Sequence, residues 1–392
     1  MIIGHYMYGI WHPGGIATYI RRISKAQRAA GHTVNYLDSC PFTGLQDEAV
    51  DLPIVVRDDN DLFIQAKAYG LDILHLHTNV SVIPPGSTPV IRTIHSNSPY
   101  CPSGSRYLKR WGQPCDRAYS LGGCLWGHLV DHCGSIRPQR FYSGFQRTWQ
   151  EMHTLSEVPA IANSQFVKDQ MIRSGYPADN IHVLHCPAPE LGDYFPPEQE
   201  DVPHPEQEDV PHFVFLGRIT PEKGFVWLLR AIAQVKVPIH LDIAGVGNQE
   251  QEQTIRRLAE RLELMNKITF HGWVNEAKAI QLLQRSRALV FPSVWHEPAG
   301  IVSLEAAAAG RAVIASSVGG IPEYTGRLQN ALLVKPNDVQ GLARSIEQLA
   351  TDSFLTKRMG AEGRKMAKEH FSLEKHLEEL MRLYELAIES RS

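Results

Sequence analysis

Long apolar stretches are missing from this 392-residue chain. No uninterrupted run approaches the roughly 20 residues of a membrane span, and the segment MIIGHYMYGIWHPGG has neither a charged leader nor a continuous apolar core. A soluble, cytoplasmic protein is expected. An excess of either charge is missing as well: 39 basic against 42 acidic side chains leave no polybasic field for nucleic acid and no acidic tail. Cysteine is scarce, six in all, which does not suit a secreted disulfide scaffold. What remains is a protein that handles a small molecule, long enough for two domains and hence for a cleft.

Short β-rich runs alternate with helical patterns over 1–8, 17–30, 33–37, 62–69, 72–77 and 90–95, and again, after a long irregular insert, over 160–163, 164–174 and 181–186. Such alternation predicts βαβ units and a mostly parallel sheet, one Rossmann-like domain over 1–190 with a cysteine-rich insert at 96–135. The composition then turns to Pro, Glu, Gln and Asp, and PEQEDVPH occurs twice in tandem at 197–204 and 205–212. A unit with only valine to offer a stacking partner is no structural repeat, so 191–212 reads as a solvated linker. A second alternation over 213–371 predicts a second Rossmann-like domain, and a helical stretch closes the chain at 372–392. The fold class is α/β, with the two halves facing across a cleft at the carboxyl ends of their strands.

The stretch VWHEPAGIVSLE, 294–305, concentrates the chemistry. Glu297 falls in a Pro/Gly turn after the apolar run 288–291, and Glu305 in the first turn of an alanine-rich helical run. A strand feeding a tight loop and a helix start leaves backbone N–H groups aimed at one spot, and two carboxylates add acceptors suited to sugar hydroxyls. GGIATY, 14–19, follows the first strand and opens a helix; it suits a phosphate or, equally, close packing. FLGRITPEKG, 215–224, places Arg218 and Lys223 after the first strand of the second half, where they can stabilise a diphosphate or be ordinary surface charges. SSVGGIPEY, 316–324, offers N–H groups of Gly319, Gly320 and Ile321 to an anion, or is a tight turn.

His95 ends a strand and looks into the cleft, while His75 and His77 share a face; most such histidines are structural. Cys101, Cys115, Cys124 and Cys133 could take zinc, yet spacers of 13, 8 and 8 residues lack the short pairs of most zinc sites. Reduced thiols or occasional disulfides, with no metal, are the reading. The acidic run at 57–61 could hold Mg²⁺ through Asp59 and Asp61, but helix capping explains it more simply.

Taken in order, these motifs resemble the retaining, nucleotide-sugar-dependent glycosyltransferases of the GT-B fold, family 4, over nearly the whole chain. The resemblance implies that Glu305 binds the donor ribose, Glu297 a hydroxyl of the transferred sugar, and Arg218 and Lys223 the diphosphate. It implies that the amides of Ala299, Gly300, Ile301 and Val302 and of Gly319 to Ile321 complete the donor site. His95 would lie against the donor sugar, Gly15 would approach the phosphates, and the last helix would cross back onto the first domain. Ser96 stands where many relatives carry Asp.

The expected activity is transfer of a hexose from an NDP-sugar, UDP- or GDP-linked, to an acceptor hydroxyl with retention, in glycan, glycolipid or polysaccharide synthesis, with no cofactor required. The expected acceptor is a saccharide, a lipid-linked or a small molecule, and a lipid-linked one would bring peripheral contact with the inner membrane face through Trp111 and Trp126. The alternatives are a nucleotide-sugar epimerase of the same architecture and a non-catalytic sugar-nucleotide-binding protein.

Overall fold

The computed structural model describes residues 1–12, 14–40, 52–82, 84–86, 88–191 and 210–390. The tandem PEQEDVPH lies outside the described residues up to position 209, and its final residue, His212, opens a strand.

The first lobe contains β1 (Ile2–Tyr6), α1 (Gly15–Ala29), β2 (Thr33–Asp38), β3 (Ile54–Val55), α2 (Asp59–Ala68), β4 (Ile73–Leu76) and β5 (Val90–Ile94). The insert follows, with the hairpin β6 (Tyr107–Leu108) and β7 (Gln113–Pro114) and the helices α3 (Leu121–Leu129) and α4 (Pro138–Thr154). β8 (Ala160–Ala162), α5 (Gln165–Arg173) and β9 (Ile181–Val183) complete the lobe. The second lobe runs β10 (His212–Leu216), α6 (Phe225–Ile232), β11 (His240–Ala244), α7 (Gln249–Arg261), β12 (Ile268–Gly272), α8 (Glu276–Arg285), β13 (Ala288–Phe291), α9 (Ile301–Ala308), β14 (Ala312–Ser316), α10 (Ile321–Leu328) and β15 (Ala331–Val334). Three helices end the chain: α11 (Val339–Thr351), α12 (Ser353–His370) and α13 (Leu373–Glu389).

The two sheets are parallel and ordered alike, β3-β2-β1-β4-β5-β8-β9 and β12-β11-β10-β13-β14-β15. Central strands such as β4, β5, β13 and β14 are buried at every position, as parallel strands covered by helices on both faces must be. Each order reverses direction once, between β1 and β4 and between β10 and β13. Ligands of open α/β sheets bind in the crevice outside such switch points. The GGIATY, FLGRITPEKG and VWHEPAG loops follow β1, β10 and β13, so all three motifs emerge at the two switch points.

The acidic run at 57–61 is a helix start. Asp58 accepts from the backbone N–H groups of Asn60 and Asp61, Asp61 pairs with Arg57, and Asp59 accepts from Ser81. These carboxylates are committed to the fold.

The terminal helices tie the lobes together. α12 packs on α9, while α13 lies on α1 with Leu380, Leu383, Tyr384 and Ala387 in the same core as Ile3, Ile20 and Ile23 of the first lobe. Tyr384 is fully buried and its hydroxyl lies 2.7 Å from His75 Nδ1. Tyr384→Ala is expected to lower the unfolding free energy by about 3–5 kcal/mol through the cavity it opens, and Tyr384→Phe by about 1–2 kcal/mol through the orphaned imidazole nitrogen. Denaturant titrations check both; equal losses would mean that packing of the ring contributes little.

Candidate functional site

Lys223 and Glu297 meet across the β10–β13 switch point. Lys223 Nζ donates to Glu297 Oε1 at 2.5 Å, and the same oxygen accepts from Ser293 Oγ and Trp295 Nε1, each at 2.6 Å. Glu297 is buried at 6% exposure, so three donors replace the water it has lost. Its Oε2 makes no hydrogen bond among the described residues and remains an acceptor for a ligand hydroxyl. The Lys223 ammonium also lies over the rings of Phe291 and Trp295, 5.5 and 5.4 Å from their centroids. Arg218, by contrast, is exposed and its guanidinium has no partner among the described residues.

Two glycines set the distance between these loops. Gly224 has φ +78°, and a Cβ there would stand 1.8 Å from the Pro292 carbonyl oxygen. Gly319 has φ +59° and lies so close to Glu297 that a Cβ would meet its backbone oxygen at 2.2 Å.

This contact changes the reading of the VGGIPE turn. The Gly320 N–H donates to the Glu297 carbonyl at 2.8 Å and the Ile321 N–H to that of Val318 at 3.2 Å, so neither is open to an anion. The turn holds the Glu297 loop in place. At the start of α9 the assignment fares differently: Ala299 and Gly300 are buried, and the N–H groups of Ile301 and Val302 have no backbone acceptor among the described residues. Glu305 stands in the second turn of α9, not the first.

Glu305 lines a cavity of about 250 Å³ between the lobes, together with Gly15, Tyr19 and Arg22 from α1, and Glu276 and Ile280 from α8. Burial pushes its carboxyl up to about 7, with Arg22 pulling the other way and Glu276 adding to the rise. Arg22 and Glu276 are site residues that the motifs did not reveal. The only available signal for Arg22 was helical spacing, since it falls two turns after Gly15 on the helix that the glycine opens.

His95 sits just past β5 and lines a second cavity, of about 270 Å³, with His77, Asn79, Arg92, Ser96 and Arg147. The Tyr19 ring packs edge-on to His95 with centroids 5.5 Å apart and also lines the Glu305 cavity, so it forms part of the wall between the two spaces. Arg92 pairs with Glu151, yet its Nε and Nη2 and the Asn79 Nδ2 are buried without acceptors. Such donors suit a hydroxyl-rich or anionic ligand.

His5, His75 and His77 present ring nitrogens within 4.8 Å of one another, and the ring nitrogens of His212 and His240 and a carboxylate oxygen of Asp242 are equally close. All six nitrogens of the first trio already have partners: Gln27, Tyr384, Thr93, His95 and each other. In the second trio His212 and His240 open strands β10 and β11 and Asp242 lies two residues into β11, with the Arg285 guanidinium 3.3 Å from His212. There His212 Nδ1 and His271 Nε2 bond to Asp242, and His240 Nε2 to Thr269, so both clusters are tied into hydrogen bonds of the fold. Burial pushes the thiols of Cys115, Cys124 and Cys133 up, the last to about 12, so they rest protonated in the absence of a partner that favours the thiolate.

Polar bonds also cross between the lobes. Ser164 donates to the Pro298 carbonyl at 2.5 Å, the Gln165 N–H to Glu323 at 2.7 Å, and Tyr324 to the Asn163 carbonyl at 2.5 Å. From the insert, Asp116 meets His296 Nε2 at 2.7 Å.

Two family models match the chain: Glycosyltransferase Family 4 over residues 13–189 and Glycosyl transferases group 1 over residues 197–366. An uncharacterized glycosyltransferase of Methanocaldococcus jannaschii is 30% identical over 176 residues, 45% of each chain. The alpha-maltose-1-phosphate synthase of Mycolicibacterium smegmatis is 28% identical over 68% of this chain and 73% of its own. Among solved structures, a sucrose-phosphate synthase of Thermosynechococcus elongatus superposes with a TM-score of 0.72 at 21% identity, covering 99% of both chains. Anabaena HepE in complex with UDP and glucose gives 0.70 at 17% identity, over 98% of this chain and 99% of that one. These likenesses show the two-lobed GT-B fold.

The Glu305 carboxyl predicts a pH signature. Its native pKa is raised from 4.5 to about 7, so between those values the folded state keeps a proton that the unfolded state has released, and stability falls as pH rises through that window. Glu305→Gln removes the penalty: it should match the wild type below pH 4.5 and exceed it above pH 7 by on the order of 3 kcal/mol. Unfolding midpoints on both sides of the window check this. A difference that does not change with pH would leave the carboxyl ordinary.

Proposed function

The chain belongs to the family 4, group 1 glycosyltransferases, and on that premise we propose that it moves a hexose from a UDP- or GDP-sugar to an acceptor hydroxyl with retention. The observation that carries this reading is the interlobe cavity. A carboxylate, Glu305, faces Arg22 and the glycine-opened α1 there, beside a second lobe whose Lys223–Glu297 pair leaves one carboxylate oxygen available. A ribose diol suits Glu305 as acceptor, and a hydroxyl of the transferred sugar suits Glu297 Oε2. That UDP and glucose occupy Anabaena HepE, a protein of this fold, supports a uridine diphosphate donor here.

The diphosphate falls to Arg218, to Lys223 and to the free N–H groups of Ile301 and Val302, with Gly15 approaching from the other lobe and Gly319 holding the loop. The anchored Lys223 and the exposed Arg218 supply at the leaving group the positive charge that Mg²⁺ supplies elsewhere, so donor cleavage needs no metal. Glu297 is held as a hydrogen-bond acceptor by three donors, which argues against its acting as nucleophile. In the front-face route, the bond from the anomeric carbon to phosphate oxygen breaks, the acceptor oxygen bonds to that carbon on the same face, and the departing phosphate oxygen takes the acceptor proton. His95 and the donors around its cavity receive the acceptor. Among the described residues no helix is long and apolar enough to cross a membrane, but Trp111 and Trp126 are 55% and 58% exposed on the insert. They fit a lipid-linked acceptor at the cytoplasmic membrane face.

Lys223→Ala should lower kcat by roughly 10²–10³-fold, whereas Glu305→Ala should chiefly raise the donor KM. A brief assay in EDTA should keep its initial rate. Nucleotide release measured with UDP- and GDP-sugars, with and without acceptors, checks all of this. Conversion of donor with no acceptor present would replace transfer by epimerisation, and binding without turnover would leave a binding protein.

A further inference from the structure

The insert gathers the densest chemistry outside the cleft. Cys101 follows a short helical turn after β5, Cys115 follows β7, Cys124 lies in the first turn of α3, and Cys133 comes just beyond that helix. Far apart in sequence, all four line one small cavity of about 20 Å³, with Arg106 and His128 beside them. None is in a disulfide.

Two buried side chains turn toward this space. Arg106 is 2% exposed and donates from Nη2 to the Cys115 carbonyl at 2.6 Å, but its Nε has no acceptor and no carboxylate pairs with it among the described residues. A guanidinium buried without a counter-charge is costly, and anionic sulfur in the cavity supplies one. His128 Nδ1 lies 3.5 Å from Cys133 Sγ. A Cβ on Gly127 would stand 3.1 Å from that sulfur, so the glycine lets the thiol close on α3.

We propose that Cys101, Cys115, Cys124 and Cys133 hold a thiophilic metal centre as four thiolates, either zinc or the iron of an iron–sulfur cluster. Ligation releases the four thiol protons to solvent and places the negative charge beside Arg106. The spacing leans toward the cluster. Among the described residues no three of the sulfurs lie within 4.8 Å of one another, whereas zinc–sulfur bonds of about 2.3 Å draw a tetrahedral set to roughly 3.8 Å. A cuboidal cluster takes one thiolate at each iron and holds them wider apart.

The centre is a staple with a consequence for the cleft. Tyr107 of the insert packs in the second-lobe core, Gly112 accepts from Asn337 at 2.8 Å, and Asp116, next to Cys115, grips His296 beside Glu297. An insert fixed by metal thereby fixes the loop that carries Glu297.

The test reads metal content and not sugar transfer, so its failure is distinct from failure of the transferase reading. The full chain is purified without oxygen and assayed for zinc, iron and acid-labile sulfide. Either about one zinc per chain and no colour, or about four iron with four sulfide and broad visible absorption, supports the proposal and identifies the metal. Cys124→Ser should reduce the content at least about tenfold, while Cys40→Ser, outside the insert, should leave it unchanged. Wild-type protein carrying neither metal above trace would overturn the proposal, as would equal loss in both variants or loss in neither.

Discussion

The hydrogen-bonded carboxylate of Glu297 is the joint on which the second lobe's loops depend. Its Oε1 collects an ammonium, a hydroxyl and an indole N–H, and Lys223 reaches it across 74 residues of sequence because β10 and β13 are neighbours. Around that joint the backbone closes in: the Val294 N–H donates to the Glu222 carbonyl, and the Gly320 N–H to that of Glu297. Three loops are thus fixed against one carboxylate. A buried ion pair stripped of one partner leaves an uncompensated charge, at a cost of about 3–5 kcal/mol, so the arrangement is rigid before any ligand arrives. Rigidity has a catalytic use, since donors and acceptors held in place need not reorganise when charge develops. It also divides the cations: Lys223 is anchored, whereas Arg218 is exposed and has no partner among the described residues.

The joint is reached from the other lobe as well. Glu323 and Tyr324, in the helix after the glycine pair, bond to Gln165, His185, Cys186 and Asn163 of the first lobe, and Phe371 accepts from the Ala188 N–H. The Glu323 of VGGIPE therefore works as an interlobe fastener. Asp116 and Asn97 secure His296 from the insert side. The cleft is held from its rear and its flank, which leaves opening to a limited set of polar contacts that water can replace.

Strand and helix alternation, the two sheets and the loops at their carboxyl ends were legible because each depends on local periodicity and on rules for parallel sheets. The glutamates of VWHEPAGIVSLE were legible for the same reason, being an acidic pair at a strand-to-helix turn. What escaped was whatever depends on a neighbour from elsewhere in the chain. The free amides assigned to Gly320 and Ile321 follow from the turn alone, and the structure spends them on Glu297 and Val318. Arg22 sits on an amphipathic helix like many arginines and acquires meaning only when α8 and α9 close over it. The four cysteines lacked paired spacing because the insert brings each in on a different segment, a convergence that no spacing rule anticipates.

The histidines show how far one amide can reach. Gln27 Oε1 lies 2.8 Å from His5 Nε2, and its Nε2 donates to Tyr384. With that orientation His5 carries its proton on Nε2 and accepts at Nδ1 from His77 Nε2, which in turn leaves His77 Nδ1 to accept from His95 Nε2. On the other branch the Tyr384 hydroxyl donates to His75 Nδ1, and His75 Nε2 donates to Thr93. Burial lowers the pKa of all four imidazoles, His5 and His95 to about 4, so none competes for a second proton at neutral pH. Among the described residues every ring nitrogen of the four is then accounted for except His95 Nδ1, which is left as an acceptor on the cavity of the first lobe. A neutral acceptor there can take a hydrogen bond from a hydroxyl and cannot donate one in return. The polarity of this chain is set by Gln27, buried on α1, which explains why a strand histidine with no motif around it can have a defined chemical face.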